Sequence, residues 1–229
     1  MSDGKRGGGT SSVRSPAALW RHEALPRLID TVMKGDRISH WRKRCMDGIS
    51  GVVVEPGFGT GLNLPHMPPE VTKVYAIDPA VVGEKLAKDR LAASPIPVEF
   101  IGLDGQSIPL ADNSGDAGLL TYTLCTIPDH GRALAELRRV IKPGGTLHFV
   151  EHGAAPDANV KVWQDRITPI QQIVADGCNL NKPILKLIER AGFDIEWSYA
   201  DYHGQPKIGT YFTAGVATNP TNEASADEI

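Results

Sequence analysis

The chain has 229 residues, 41% of them hydrophobic, enough to bury one sizeable core and short for two enzymatic domains. Its formal net charge of -3 offers no general attraction to nucleic acid, whose binding proteins carry a basic, phosphate-neutralising face, so no nucleic-acid partner is expected. The three cysteines, Cys45, Cys125 and Cys178, are odd in number and widely spaced, which argues against a disulfide framework or a close-spaced zinc motif; no metal is expected, and a reducing cytoplasm fits best.

In chain order, Met1 to Pro16 carry glycine, serine and charge but almost no large apolar side chains, and a disordered tail is expected there because nothing offsets the entropy of ordering. The folded domain is expected over residues 17–218, with a second tail over residues 219–229. Leu25, Leu28, Ile29 and Val32 repeat at helical spacing within Leu19 to Val32, and Asp36 is placed to cap a second helix running to about Met46. From Val52 onward apolar runs alternate with helix-compatible segments. Strands are expected at Val52–Val54, Val74–Ile77, Val98–Ile101, Ala117–Thr123, Thr146–Glu151, Asp194–Ala200 and Tyr211–Thr218, and helices at Val82–Ala92, His130–Val140 and Ile184–Ala191. Such alternation predicts an α/β fold, a mostly parallel sheet with helices on both faces, whose ligands bind beyond the carboxyl ends of the strands. No run approaches the roughly 18 apolar residues of a membrane span and the N-terminus has no apolar signal region; peripheral membrane contact stays open, and nothing in the pattern sets an oligomeric state.

Three strand ends carry polar or glycine-rich signals. The first apolar run passes into Glu55-Pro56-Gly57-Phe58-Gly59-Thr60-Gly61, whose alternate glycines permit a sharp turn and close backbone approach to a ligand. The second ends at Asp78, where a carboxylate can accept both hydroxyl hydrogens of a ribose. The third is followed by Asp104-Gly105, where a carboxylate and a backbone N–H can read an adenine edge. Any one of these aspartates alone reads better as a helix cap; jointly they describe a nucleoside site. The G-x-G-x-G spacing differs from the G-x-G-x-x-G dinucleotide fingerprint, which disfavours an NAD-dependent dehydrogenase.

This constellation resembles the class I S-adenosylmethionine-dependent methyltransferases, with a Rossmann-like seven-stranded sheet. The resemblance implies S-adenosyl-L-methionine as cofactor, held by Glu55, Gly57, Gly59, Gly61, Asn63, Asp78, Pro79, Asp104, Gly105 and Thr123. Proline at position 56 departs from the family's usual apolar or small residue and offers no N–H, so backbone contact must begin at Gly57. Arg138-Arg139-Val140-Ile141-Lys142-Pro143-Gly144-Gly145-Thr146-Leu147 nearly reproduces the signature of the type 11 small-molecule and lipid branch, read here as a structural turn. Farther on, Trp163-Gln164, Asp176-Gly177-Cys178-Asn179 and Glu189-Arg190-Ala191-Gly192-Phe193 are similar in order to a narrower group, the membrane-associated alkyl thiol methyltransferases of animals and their bacterial relatives. That likeness implies a small, apolar acceptor, with a thiol favoured over a phospholipid amine or a quinol or phenol oxygen.

For the acceptor side, the fourth strand ends in Thr121-Tyr122-Thr123-Leu124-Cys125 and lacks the Asn/Asp-Pro-Pro-Tyr tetrapeptide of amide and nucleobase N-methyltransferases. His152, at the end of the fifth strand, has a side chain suited to removing a proton and is the candidate general base. Cys125, Trp163, Asp176 and Cys178 are candidate pocket residues, although buried thiols more often serve packing. A cofactor-binding module without turnover is the alternative reading, and intact polar positions at Glu55, Asp78, Asp104 and His152 lean against it.

Overall fold

A computed structural model describes residues 24–79, 81–175 and 177–221. The N-terminal tail, the start of the first expected helix with Trp20, and Asp176 lie outside these residues. The helix α1 runs Leu25–Met33, with proline in its first turn where a missing N–H costs nothing. Helix α2, Asp36–Cys45, is capped by Gly35 and not by Asp36, which sits inside the first turn, while Arg42, Lys43 and Arg44 occupy the last. Both placements complement the helix dipole.

The alternating region then forms strand β1 (Gly51–Pro56), β2 (Val71–Ile77), helix α3 (Val81–Ala93), β3 (Val98–Gly102), β4 (Gly115–Thr121), α4 (His130–Val140), β5 (Ile141–His152), α5 (Ala158–Val174), α6 (Ile184–Arg190), β6 (Asp194–Tyr202) and β7 (Tyr211–Thr218). The seven strands make one sheet in the order β3-β2-β1-β4-β5-β7-β6. The five strands from β3 to β5 run parallel, and β7 inserts antiparallel between β5 and β6. This is the Rossmann-like seven-stranded, mostly parallel architecture with helices.

Strand alternation distributes the core over two layers. Val53, Ala76, Leu119 and Val150 point into one buried cluster, with Trp41 and Cys45 of α2. Their chain neighbours Val54, Ile77, Leu120 and Phe149 point into the other, with Leu134 and Leu137 of α4 and Ile188 of α6. Each central strand is thus apolar on both faces, as a parallel strand covered on both sides must be.

Two expectations need correcting. The Pro143-Gly144-Gly145 turn lies inside β5 as an outlooping of the pairing, because Gly115 faces Ile141 while Ala117 already faces Thr146. That turn is held from the C-terminal side: Gly144 N–H donates to Asn219 O at 2.7 Å, and Asn219 Nδ2 donates to Ile141 O at 2.8 Å. Asn219, expected to open a tail, is therefore buried and belongs to the fold. Helix α5 was not foreseen as an element, since Pro169 inside it reads as a breaker. It is tied down by Gln164, whose side chain accepts from Ala155 N at 2.9 Å and donates to Gly153 O at 3.1 Å.

The sheet order reverses between β1 and β4, where the chain leaves β1 toward β2 and leaves β4 toward β5. A doubly wound sheet opens its ligand crevice at that point, beyond the strands' carboxyl ends.

Candidate active site

Beyond β1 the chain turns on Gly57 and Gly59, with φ of +73° and +58°, a left-handed region that costs glycine little. A Cβ built on Gly57 would lie 2.2 Å from Thr123 Oγ1, so the loop packs directly on the turn that follows β4. A Cβ on Gly59 would meet nothing closer than Gly57 O at 3.8 Å, and the loop is open on that side. Pro56 donates no N–H, as expected. The loop's amides are instead aimed by β2: Gly57 N–H donates to Ile77 O at 2.7 Å and Gly59 N–H to Asp78 Oδ2 at 2.7 Å. Asp78 thus pins the glycine loop, a part that its strand-end position alone did not reveal.

Under the loop lies a buried polar network. Glu55, only 1% exposed, accepts from Asn63 Nδ2 at 2.6 Å. Asn63 Oδ1 accepts from Arg42 Nη1 at 2.7 Å, and Thr121 Oγ1 lies 3.1 Å from the same guanidinium nitrogen and 2.8 Å from Asn63 Nδ2. Burial pushes the Glu55 carboxyl up to about 8 against the opposing pull of Asn63 and Arg42. Arg42 is the main residue that sequence reasoning missed. Its signal was available: an arginine one helical turn from Ile38 and Cys45 shares the inward face of α2.

This network leaves buried polar atoms without partners, namely Glu55 Oε2, Arg42 Nε and Tyr122 OH. Unpaired buried polar groups are costly, so a cluster of them marks a place where a ligand completes the bonding. A carboxylate oxygen, a guanidinium nitrogen and an open glycine loop together fit the ammonium, carboxylate and chain of an amino acid.

Asp104 and Gly105 sit past β3. Asp104 is exposed, and its Oδ1 accepts from Gln106 N–H at 2.8 Å and from the Gln106 side chain at 2.9 Å, bonds that hold its carboxyl below the usual range. A Cβ on Gly105 would lie 3.0 Å from Pro56 Cβ, so this turn also closes on the end of β1. Pro79 is exposed directly after Asp78.

The other side of the crevice is built on Glu151. Fully buried at the end of β5, it accepts Thr123 N–H and Leu124 N–H at 2.8 Å each, and Cys125 N–H at 3.3 Å. These bonds hold a turn that Tyr122 enters at φ +58°, a conformation uncommon for a bulky side chain and typical of functional positions. Burial nonetheless keeps the Glu151 carboxyl up at about 7.

That turn delivers Cys125 to His152 and Cys178. The thiol of Cys178 lies 3.5 Å from Cys125 Sγ and 3.9 Å from His152 Nδ1. His152 Nε2 sits 3.2 Å from Gly209 O, which can only accept, so Nε2 carries a proton, and in the neutral ring the lone pair is at Nδ1. The expected base therefore turns its basic nitrogen to Cys178. Leu180, Ile167 and Ile208 pack around the thiols, and the ring of Phe212 lies 4.6 Å from that of His152. Trp163 is not brought to this group: it is 51% exposed on the outer face of α5, beneath the Arg166 guanidinium, because the helix turns the adjacent Gln164 inward instead.

Comparison with known proteins shows the family. Residues 54–149 match a methyltransferase domain family. Thiol S-methyltransferase TMT1B of Homo sapiens is 36% identical over 188 residues, which cover 80% of this chain and 72% of that protein. The chain belongs to this methyltransferase family. Thiol S-methyltransferase TMT1B of Rattus norvegicus is 36% identical over 152 residues, covering 63% of this chain but only 62% of the rat protein. A SAM-dependent methyltransferase of Thermotoga maritima superposes with a TM-score of 0.65 at 18% identity, over 88% of this chain and 98% of that one. The family's cofactor is S-adenosylmethionine, and the glycine loop with its unpaired carboxylate and guanidinium atoms is the part of this chain whose chemistry fits it.

Proposed function

We propose that this chain transfers a methyl group from S-adenosylmethionine to a small apolar acceptor, with a thiol favoured. What carries the reading is one juxtaposition. The turn of Thr123 to Cys125 packs on Gly57 of the cofactor loop at one end and presents Cys125 to His152 and Cys178 at the other. Cofactor and acceptor places are therefore two sides of a single turn.

The cofactor supplies an electrophilic sulfonium methyl. The protein's part is to position and to keep water out. Glu55 Oε2 and Arg42 Nε are matched in charge to the amino acid end of the cofactor, and Asp78 holds the Gly59 amide while facing the ribose place. On the acceptor side the lining is thiol, imidazole and apolar side chain, and the adjacent carboxylate of Glu151 is consumed by backbone amides. Such a lining suits a neutral apolar acceptor, and His152 Nδ1 is the lone pair available to its proton. The apolar side chains of Ile170 and Ile173, 61% and 67% exposed on α5, support an acceptor delivered from an apolar phase. Among the described residues no helix is long and apolar enough to cross a membrane.

The reading is tested by tritiated-methyl transfer over a panel of alkyl thiols, phenols, quinols and phosphatidylethanolamine. Transfer to thiols is expected. Transfer to another class alone would reassign the acceptor, and cofactor binding without turnover on any class would leave a binding module.

A further inference from the structure

We propose that Cys125, Cys178 and His152 Nδ1 form a zinc site whose fourth position takes the sulfur of the acceptor thiol; the second half of this rests on the thiol reading above. The three donor atoms all lie within 4.8 Å of one another. With bond lengths of roughly 2.3 Å to sulfur and 2.0–2.1 Å to nitrogen, a tetrahedral ion needs S···S of about 3.8 Å and S···N of about 3.6 Å. The observed 3.5 Å between the sulfurs and 3.9 Å from Cys178 Sγ to His152 Nδ1 each differ from those values by a few tenths of an ångström. A disulfide would require the sulfurs to close to about 2.05 Å.

The surroundings are those of a ligand set. His152 Nε2–H donates to Gly209 O, the outer hydrogen bond that fixes a metal-binding imidazole in the tautomer with its other lone pair outward. Asn179 joins the two cysteine loops: its backbone N–H and its Nδ2 both donate to Cys125 O, at 3.0 and 2.9 Å. Two thiolates and a neutral imidazole cancel the charge of the ion. A bound acceptor thiolate adds one negative charge, and the Lys182 ammonium, anchored on Leu124 O at 3.0 Å and Ile127 O at 3.1 Å, stands against the same turn to offset it. Thiolate and imidazole donors in tetrahedral array select zinc among common divalent ions, and three protein ligands leave the open position of a reactive site.

The chemistry balances without a further reactant. Cys125 and Cys178 bind as thiolates, and any proton that either still carries goes to solvent. An acceptor thiol that binds loses its proton in the same way, since a coordinated thiol is deprotonated outright. Its sulfur lone pair then forms the bond to the cofactor methyl as the methyl–sulfonium bond breaks, and the neutral thioether, a weaker ligand, leaves. His152 thereby serves as a ligand, and the metal takes over the activation of the acceptor.

The spacing of 26 residues between His152 and Cys178, and 53 between Cys125 and Cys178, hides such a site from any motif. It is tested on the full chain, chelator-stripped and kept reduced with a phosphine. Zinc titrated against a chromophoric chelator should bind one to one. Cobalt in its place should show thiolate-to-metal charge transfer and the visible bands of a tetrahedral ion. Cys125→Ser, Cys178→Ser and His152→Gln should each weaken zinc by about 100-fold or more, beyond the usual loss of an outer hydrogen bond. Where a cysteine variant does not fold, His152→Gln and the cobalt spectrum of the parent decide. Sub-stoichiometric zinc, unchanged affinity in His152→Gln, or a Cys125–Cys178 disulfide as the resting state under phosphine would overturn the site. Adding 1-hexanethiol should shift the cobalt bands, and an unshifted spectrum, or equal thiol methylation with and without zinc, would overturn the activating role. The metal titration uses no acceptor, so if phenols are methylated and thiols are not, the acceptor reading alone has failed.

Discussion

The two sides of the crevice are built by different means. On the cofactor side, one contiguous loop, two strand ends and a neighbouring helix supply the groups: the glycines turn the chain, Asp78 holds the Gly59 amide, and Glu55 Oε2 and Arg42 Nε are left unpaired beneath. On the acceptor side, Cys125, His152 and Cys178 come from β4's exit turn, the end of β5 and the loop after α5, and meet because β4 lies beside β5 and Asn179 ties the Cys178 loop to Cys125 O. The first arrangement follows from local backbone rules. The second depends on packing across the whole chain, and its chemistry is correspondingly free to vary while the cradle stays fixed.

The largest expected effect breaks the cradle. Gly57→Val forces a β-branched residue into left-handed backbone and drives a Cβ into Thr123. Strain of about 1–2 kcal/mol and overpacking of about 1–3 kcal/mol together lower the melting temperature by roughly 5–15 °C for a chain of this size. Because Thr123 belongs to the turn shared by both sides, binding of S-adenosylhomocysteine and methyl transfer should fall together in calorimetry and assay. Intact transfer in a folded Gly57→Val protein would show that the two sides do not share that turn.

His152→Ala should act on one side alone. Methyl transfer is expected to drop by about 10²-fold, the scale of lost help with the acceptor's proton, whether Nδ1 takes that proton itself or holds the ion that acidifies the thiol, while cofactor affinity is unchanged, and the loss should grow with the pKa of the acceptor across a series. A uniform loss over the series would mean that His152 only shapes the pocket. Next in size, Asp78→Ala removes a charge-assisted bond to the glycine loop and the carboxylate proposed to hold the ribose, an expected loss of about 1.5–3 kcal/mol or roughly one to two decades in cofactor affinity. Calorimetry showing parental affinity in a folded variant would remove Asp78 from the cradle.

The cofactor side was legible in sequence because its signals are local. Glycine at alternate positions after an apolar run, and a carboxylate closing the next run, name a backbone geometry by themselves, and the strands and helices from β1 to α4 follow the alternation within a few residues. Arg42 escaped because a charged residue in an amphipathic helix reads as solvent-facing, although its spacing from Ile38 and Cys45 places it on the inward face; its partner Asn63 shows only in the packing. Glu151 escaped because its partners are amides of a turn nearly thirty residues earlier. Helix α5 escaped because Pro169 masks its period, and without α5 the sequence could offer Cys178 and Trp163 only as neighbours in a motif, with no means of sending one inward and the other to solvent.

Each side also keeps one buried carboxylate, and pH separates them. The Glu55 carboxyl is pushed up to about 8 from an ordinary value of 4.5, and Glu151 up to about 7, burial being the largest cause in both. Below pH 4.5 the folded and unfolded chains both hold these protons and no stability is lost. As pH rises the unfolded chain releases them first, so the stability of the cofactor-free protein falls through pH 5 to 8 and levels off above the folded values. Glu55→Gln keeps the oxygen that accepts from Asn63 and carries no proton to lose, so it should flatten much of that slope with little effect at pH 5. Glu151→Gln should instead lower the melting temperature at every pH, since an amide NH2 would face one of the three backbone N–H groups that Glu151 now satisfies. Thermal melts from pH 5 to 9 distinguish the two. A parental slope retained in Glu55→Gln would mean that Glu55 is already ionised in the folded, cofactor-free chain and that the pH dependence comes from another buried group.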